Sequence, residues 1–329
     1  MQDIFVPESK PEDALVHQLH TVTIITHDRE RFEAIFTEGY GLTSSGWVTP
    51  DDETRSYLGF SAEHDIATCG FTKTGEGANL QVRVIHVAQE TPQVRPEWMG
   101  LYEGGATLSF PMVDLRTHEK RMNAIGVEST IGVKEMDFTS PAGETYTSAE
   151  IVYKAPEHIF VMGVTRPEIF VPTGPIDPET GLGGPSYSAR CITKADAVND
   201  FLANVLGYEI RRDTYFEVGE RSALHMPEGT KERFIQAFAP GASTGYLVLM
   251  DHEEATRPSP APGRGAPNRG IAMWSFETGD IDEVRRRAGS AGITIVQDVA
   301  ERSSPLMPRG RTMILEDPDG FPIEIVEPT

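Results

Sequence analysis

Four times along the chain an apolar strand pattern is followed by a helix pattern and then by three further strand-like runs. The first unit has an alternating apolar run at 17–26. A helix pattern at 28–40 follows, with Phe32, Ile35 and Phe36 on one face and Gly41 after its end. Strand-like runs come next at about 43–49, 65–73 and 79–88. The second unit opens at 104–113, has a helix at 114–125 closed by Gly126, and continues with strands at about 127–138, 144–154 and 158–165. The third has a strand at 186–193, a helix at 195–206 ending at Gly207, and strands at about 209–218, 231–239 and 245–251. The fourth has a strand at 270–277, a helix at 281–291 closed by Gly292, a strand at about 294–299 and a hairpin over 311–328. In that hairpin Asp317-Pro318-Asp319-Gly320 is turn chemistry, because proline presets φ and glycine accepts a positive one. Phe321, Ile323 and Ile325 then alternate with Pro322, Glu324 and Val326, which turns Glu324 away from the isoleucines.

One offset relates the two halves. Asp114 and Asp280 open equivalent helices, Gly126 and Gly292 close them, and Phe36 matches Leu202; each pair is separated by 166 residues. Three landmarks on one spacing indicate a duplication, with units too long and too few for a solenoid. The expected architecture is α+β: paired βαβββ modules making two curved mixed sheets. One domain covers 15–166 and one 184–329, joined by a proline- and glycine-rich linker at 167–183.

Composition narrows the function classes. A net charge of −21 argues against nucleic acid and against an anionic membrane surface as partners. Two cysteines are too few for a disulfide framework and have no metal-site spacing. The N-terminal stretch lacks the basic and apolar regions of a signal peptide, and no apolar run is long enough for a bilayer. A cytoplasmic protein is the resulting expectation.

The stretches LHTVTIITHDRERFEAIFTEGYGL, FLANVLGY and above all EDPDGFPIEIVEP resemble the vicinal oxygen chelate superfamily of glyoxalase, bleomycin-resistance and extradiol-dioxygenase proteins. The resemblance covers about 15–166 and 184–328 and implies paired modules curled into bowls. It also implies metal ligands on the first strand of a module and near the end of its last strand. The first-strand places fall on Thr21, Thr107, Tyr187 and Met273, none of them a usual ligand in this fold. The last-strand places are Glu324 and, by the 166 offset, His158, with Gln81 as an addition in the first half. A catalytic metal wants about three protein ligands and an open position. No cofactor is therefore expected. If a divalent metal binds, its ligands are Glu324, His158 and His20, the last swung inward by a bulge.

The expected site lies in the second half, with Glu324, Tyr187 and His225 as catalytic groups. Glu324 and Tyr187 face one cavity, and His225 stands in a segment that faintly resembles the acid/base histidine region of extradiol dioxygenases. Met273, Ser275 and Trp274 are the expected substrate contacts. A carboxylate in an apolar bowl has a raised pKa and can move protons. Three readings stay open: an enzyme acting on a small carbonyl or aromatic compound by metal-independent proton transfer or lyase chemistry; a metal-free protein that sequesters a small molecule; and a metal-dependent dioxygenase or glyoxalase-type lyase with displaced ligands. A small-molecule substrate is the expected partner, and a homodimer is left open.

Overall fold

Short apolar strands capped by glycine turns dominate the computed structural model. It describes residues 4–75, 80–139, 143, 145–167, 173–252 and 263–329. Module 1 comprises β1 (Val16–Thr26), α1 (Arg29–Ala34), β2 (Thr43–Ser44), α2 (Asp52–Tyr57), β3 (Ile66–Thr72) and β4 (Gln81–Val87). Module 2 comprises β5 (Gly104–Pro111), α3 (Leu115–Ala124), β6 (Lys134–Thr139), β7 (Thr145–Lys154) and β8 (Phe160–Thr165). Module 3 comprises β9 (Tyr187–Ile192), α4 (Ala195–Asp200), β10 (Glu209–Glu217), β11 (Lys231–Phe238) and β12 (Tyr246–His252). Module 4 comprises β13 (Gly270–Thr278), α5 (Ile281–Ser290), β14 (Thr294–Arg302), β15 (Gly310–Glu316) and β16 (Pro322–Pro328). The expected α+β modules are present. The strand expected over 43–49 shrinks to Thr43–Ser44, because the chain turns into the short helix α2, capped by Asp51.

The pairing of modules differs from expectation. β1 pairs antiparallel with β13, so module 1 joins module 4; β5 pairs antiparallel with β9, so module 2 joins module 3. The first bowl therefore has the order β2-β3-β4-β1-β13-β16-β15-β14, and the second β10-β11-β12-β9-β5-β8-β7-β6. Neither 15–166 nor 184–329 closes a bowl alone. The reason is that the opening strands are interchangeable: β5 is buried along its whole length and β1, β9 and β13 nearly so. A strand buried on both faces carries no alternation that selects its partner.

The two bowls share one edge, where Ile271 of β13 faces Gly105 of β5. A Cβ on Gly105 would lie 2.3 Å from the Ile271 Cβ, so only glycine admits this approach. The helices cover the convex faces, where Phe32, Phe36, Phe110, Phe201, Trp274 and Phe276 belong to one continuous core. The Asp-Pro-Asp-Gly turn is a clamp between modules. Asp317 accepts from the backbone N–H groups of Asp319 and Phe321 at 3.0 Å and pairs with Arg190 of β9. Asp319 accepts from the Thr193 backbone and hydroxyl at 2.8 and 2.9 Å. Among the described residues no helix is long and apolar enough to cross a membrane.

Candidate functional site

The two bowls are filled differently. In the bowl of modules 1 and 4, β13 and β16 run parallel with Ser275 beside Glu324, and β1 and β4 with Thr23 beside Arg83. These four side chains meet on the concave face. Arg83 donates through Nε to Thr23 at 2.9 Å and through Nη1 to Ser304 and the Pro305 carbonyl at 2.7 and 2.9 Å. Its Nη2 donates to Ser275 at 3.2 Å and to Glu324 Oε2 at 2.9 Å. All five guanidinium N–H groups thus have an acceptor. Ser275 also donates to Glu324 Oε2 at 2.5 Å. Arg83 and Glu324 are both fully buried. Burial pushes the Glu324 carboxyl up, but Arg83 and the hydroxyl donors outweigh it and hold the group below its ordinary value. The raised pKa expected for this carboxylate is therefore corrected to a lowered one.

Other expected contacts divide along the strand. Met273 faces a small cavity of about 200 Å³ bordered by Thr23, Tyr57 and Ile314. Trp274 points to the opposite face, where its indole donates to Ser188 at 3.0 Å and packs on Phe321. It is core, not a bowl contact. Tyr187 stands in the other bowl, so the expected Tyr187–Glu324 pair is not assembled: β9 belongs with β5, while β16 belongs with β13.

The residues named for a metal do not converge either. His20 sits at an irregularity in the pairing of β1 with β13, where pairing skips from Leu19 to Thr21. Its ring nitrogens are taken by Thr21 at 2.8 Å and by Glu277 at 3.3 Å, and burial lowers its pKa. His158 is in a short turn before β8; its Nδ1 is 2.8 Å from the Arg95 carbonyl and its ring lies edge-on to Trp98. The 166 offset fails here, because Ser109 of β5, the counterpart of Ser275, is registered with Met162 and not with His158. Among the described residues no three His, Cys, Asp or Glu side chains are grouped to hold a metal ion. A guanidinium already neutralises the one carboxylate at the expected corner. The donor set does not fit a metal centre of the family type.

The bowl of modules 2 and 3 holds a cavity of about 620 Å³. Strand register explains its lining. On β10 and β11 the facing pairs Arg212–Gln236, Thr214–Phe234 and Phe216–Glu232 all turn inward. On β7 the inward residues are Tyr146, Ser148, Glu150 and Val152. Tyr187 and Tyr246 are registered neighbours, stacked 4.7 Å apart on the floor. Burial raises the Tyr187 hydroxyl above its ordinary value, and the Glu150 charge adds to this. Glu150 makes no hydrogen bond or ion pair among the described residues. Burial pushes its pKa up to about 7; Lys134 opposes and Glu232 reinforces the shift. Glu232 itself is buried against His252, at 3.1 Å. His225 is exposed beside this bowl, its ring stacked 6.5 Å from Phe160; its neighbours Leu224 and Met226 line the cavity. Its pKa is lowered by partial burial and by Lys154.

Arg83, Glu150, Arg212 and Gln236 were not singled out from sequence. Two of them left a signal: Arg83 is a lone charge between Val82 and Val84, and Glu150 precedes Ile151-Val152 in a strand. Which face such a charge occupies becomes decidable only when the module pairing is known.

Comparisons with known proteins agree with this architecture. Glyoxalase I from Zea mays has a TM-score of 0.62 at 12% identity, over 96% of this chain and 94% of that one. A candidate dioxygenase from Bacillus subtilis subsp. subtilis has a TM-score of 0.58 at 16% identity, over 95% and 86%. Identities this low speak to fold alone. No curated protein matches the chain in sequence. The family model of the Glyoxalase/Bleomycin resistance protein/Dioxygenase superfamily matches residues 187–325, the segment from β9 to β16, and the fold of the whole chain is similar to that of glyoxalase I.

Proposed function

We propose that the bowl of modules 2 and 3 takes up a small aromatic or carbonyl compound, and that Glu150 exchanges a proton with it. The reading rests on one observation: a carboxylate that makes no hydrogen bond or ion pair among the described residues faces a 620 Å³ cavity floored by stacked tyrosines. An apolar wall with a few convergent polar groups suits a flat, amphiphilic molecule. A carboxyl titrating at about 7 serves equally as base and acid near neutrality. In the forward step a C–H or O–H bond of the substrate breaks and an O–H bond forms on Glu150. Returning that proton to another carbon gives isomerisation; giving it to a leaving group gives lyase chemistry. The hydroxyl of Tyr187, kept protonated, donates to the substrate oxygen on which charge develops. No step runs through a metal, and Glu324 supports the other bowl.

The test starts from a thermal-shift screen of phenols, aryl ketones and β-dicarbonyl compounds. Binders are then followed by NMR for solvent-deuterium incorporation. Glu150→Gln should keep binding and lower the exchange rate by about a hundredfold or more. Exchange unaffected by Glu150→Gln, or ligands whose binding responds only to changes around Glu324, would overturn the assignment.

A further inference from the structure

The cavity is electrically divided along its length. At one end stand Glu150 and Glu232, close enough for the charge of one to raise the pKa of the other, with Lys134, the single cation there among the described lining residues, across the strand pair from Glu150. At the other, Arg166 and Arg212 both act on the Tyr246 hydroxyl. Along β11 the distance from Gln236 to Glu232 is four residues, roughly 13 Å at strand spacing.

Arg212 owes its position to an irregularity. Between Ile210 and Arg212 the pairing of β10 with β11 shifts by one residue, leaving Arg211 as the extra one. A bulge of this kind re-aims the side chain that follows it. Arg211 turns outward, where Glu209 and the carbonyls of Ala242 and Ile4 occupy it. Arg212 turns into the cavity and makes no hydrogen bond or ion pair among the described residues. Directly across the strand pair from it, Gln236 is 4% exposed, and its buried Oε1 has no partner. The amide can be turned to present N–H instead, since its oxygen and nitrogen are assigned only by partners. Arg166 completes this end, held over the rings of Phe5 and Tyr146 at 4.4 and 5.4 Å. Among the described residues a guanidinium without an acceptor and a buried amide whose oxygen has no donor, side by side in one cavity, are an incomplete polar site. The group that completes it is a planar anion with two acceptor oxygens.

We infer that the ligand is an aromatic carboxylic acid, bound with its carboxylate on Arg212 and Gln236, its ring on Tyr187 and Tyr246, and its reacting end toward Glu150. This rests on the proposed function of the same cavity and adds the substrate class and its orientation. A neutral aromatic compound would leave Arg212 and Gln236 unmatched. An acid bound the other way round would set its carboxylate against Glu150 and Glu232, with only Lys134 among the described lining residues to offset their charge, whereas the opposite end holds two guanidinium groups.

The experiment compares matched acid and amide probes by calorimetric titration of the full chain: benzoate with benzamide, phenylacetate with phenylacetamide, and 2-naphthoate with 2-naphthamide. Wild type should bind at least one acid tenfold or more tighter than its amide. Arg212→Gln should remove that preference by weakening the acid and leaving the amide within twofold; Arg212→Lys should fall between. Equal binding of acid and amide by wild type, or a preference that survives Arg212→Gln, would overturn the anchor while leaving the cavity reading intact. If no acid or amide binds, the cavity reading falls and this inference falls with it. Arg212 is partly exposed and makes no hydrogen bond among the described residues, so its substitution leaves the fold able to form, and an unchanged melting temperature of the free variant checks this.

Discussion

Three carboxylates of similar sequence appearance have three different fates, set by what surrounds them. Glu324 lies against a guanidinium and a serine, Glu232 against a histidine, and Glu150 against a cavity. For Glu324 the ion pair is buried, so removing one partner strands the other. Arg83→Met should cost about 3–5 kcal/mol, read as a lowered urea midpoint, while the double variant Arg83→Met/Glu324→Leu should recover most of it. For Glu150 the sign is opposite. Its pKa is raised from an unfolded value near 4.5 to about 7, so below pH 4.5 both states hold the proton. As pH rises, the unfolded chain releases its proton first, and the native state loses stability until about pH 7, after which the loss is constant. Glu150→Gln should therefore be more stable than wild type at pH 8, by up to about 3 kcal/mol, and equal to it at pH 4; denaturant titrations at both pH values check this.

At the level of elements, helix α3 offers a second titration of contrary sense. His118 packs 4.7 Å from the Tyr40 ring, with its Nδ1 3.0 Å from the Tyr153 hydroxyl, and burial followed by Arg121 lowers its pKa to about 4. Its contribution is complete above the unfolded value of 6.5 and is lost as pH falls from there toward 4, up to about 3 kcal/mol. In His118→Gln the acid side of the stability profile should flatten over that window. Elements were also the most legible scale in the sequence. Helices closing at Gly126 and Gly292 and strands alternating around Glu324 follow from local chemistry, and α3, α5 and β16 stand where the pattern puts them. The site was less legible. Tyr187 and Glu324 each point into a bowl, but whether into the same one depends on which of four doubly buried strands pair, and apolar strands do not encode that choice. The offset that relates the helices also misplaced His158, because Ser129 and its partner Tyr153 are 24 residues apart where the equivalent Ile295 and Leu315 are 20 apart, and no periodicity reports such an insertion.

For the whole molecule, swapped pairing makes the two halves interdependent. Each half contributes one module to each bowl, the clamp of Asp317 on Arg190 ties module 4 to module 3, and Gly105 against Ile271 joins the bowls. If instead each half closed its own bowl, fragments cut in the exposed turn between Glu179 and Thr180 would fold separately. With the observed pairing, each fragment presents two opening strands whose partners lie on the other fragment. Fragments 1–179 and 180–329 expressed alone should lack a cooperative thermal transition. Co-expressed, they should purify as a one-to-one complex that melts in a single step. Gly105→Ala should destabilise the intact chain by about 1–3 kcal/mol, since the added methyl meets both the Ile271 side chain and its carbonyl oxygen at 2.8 Å. A monomeric, cooperatively folded fragment from either half would contradict the pairing. It would also return Tyr187 and Glu324 to one hollow, and so reach beyond the fold to the site itself.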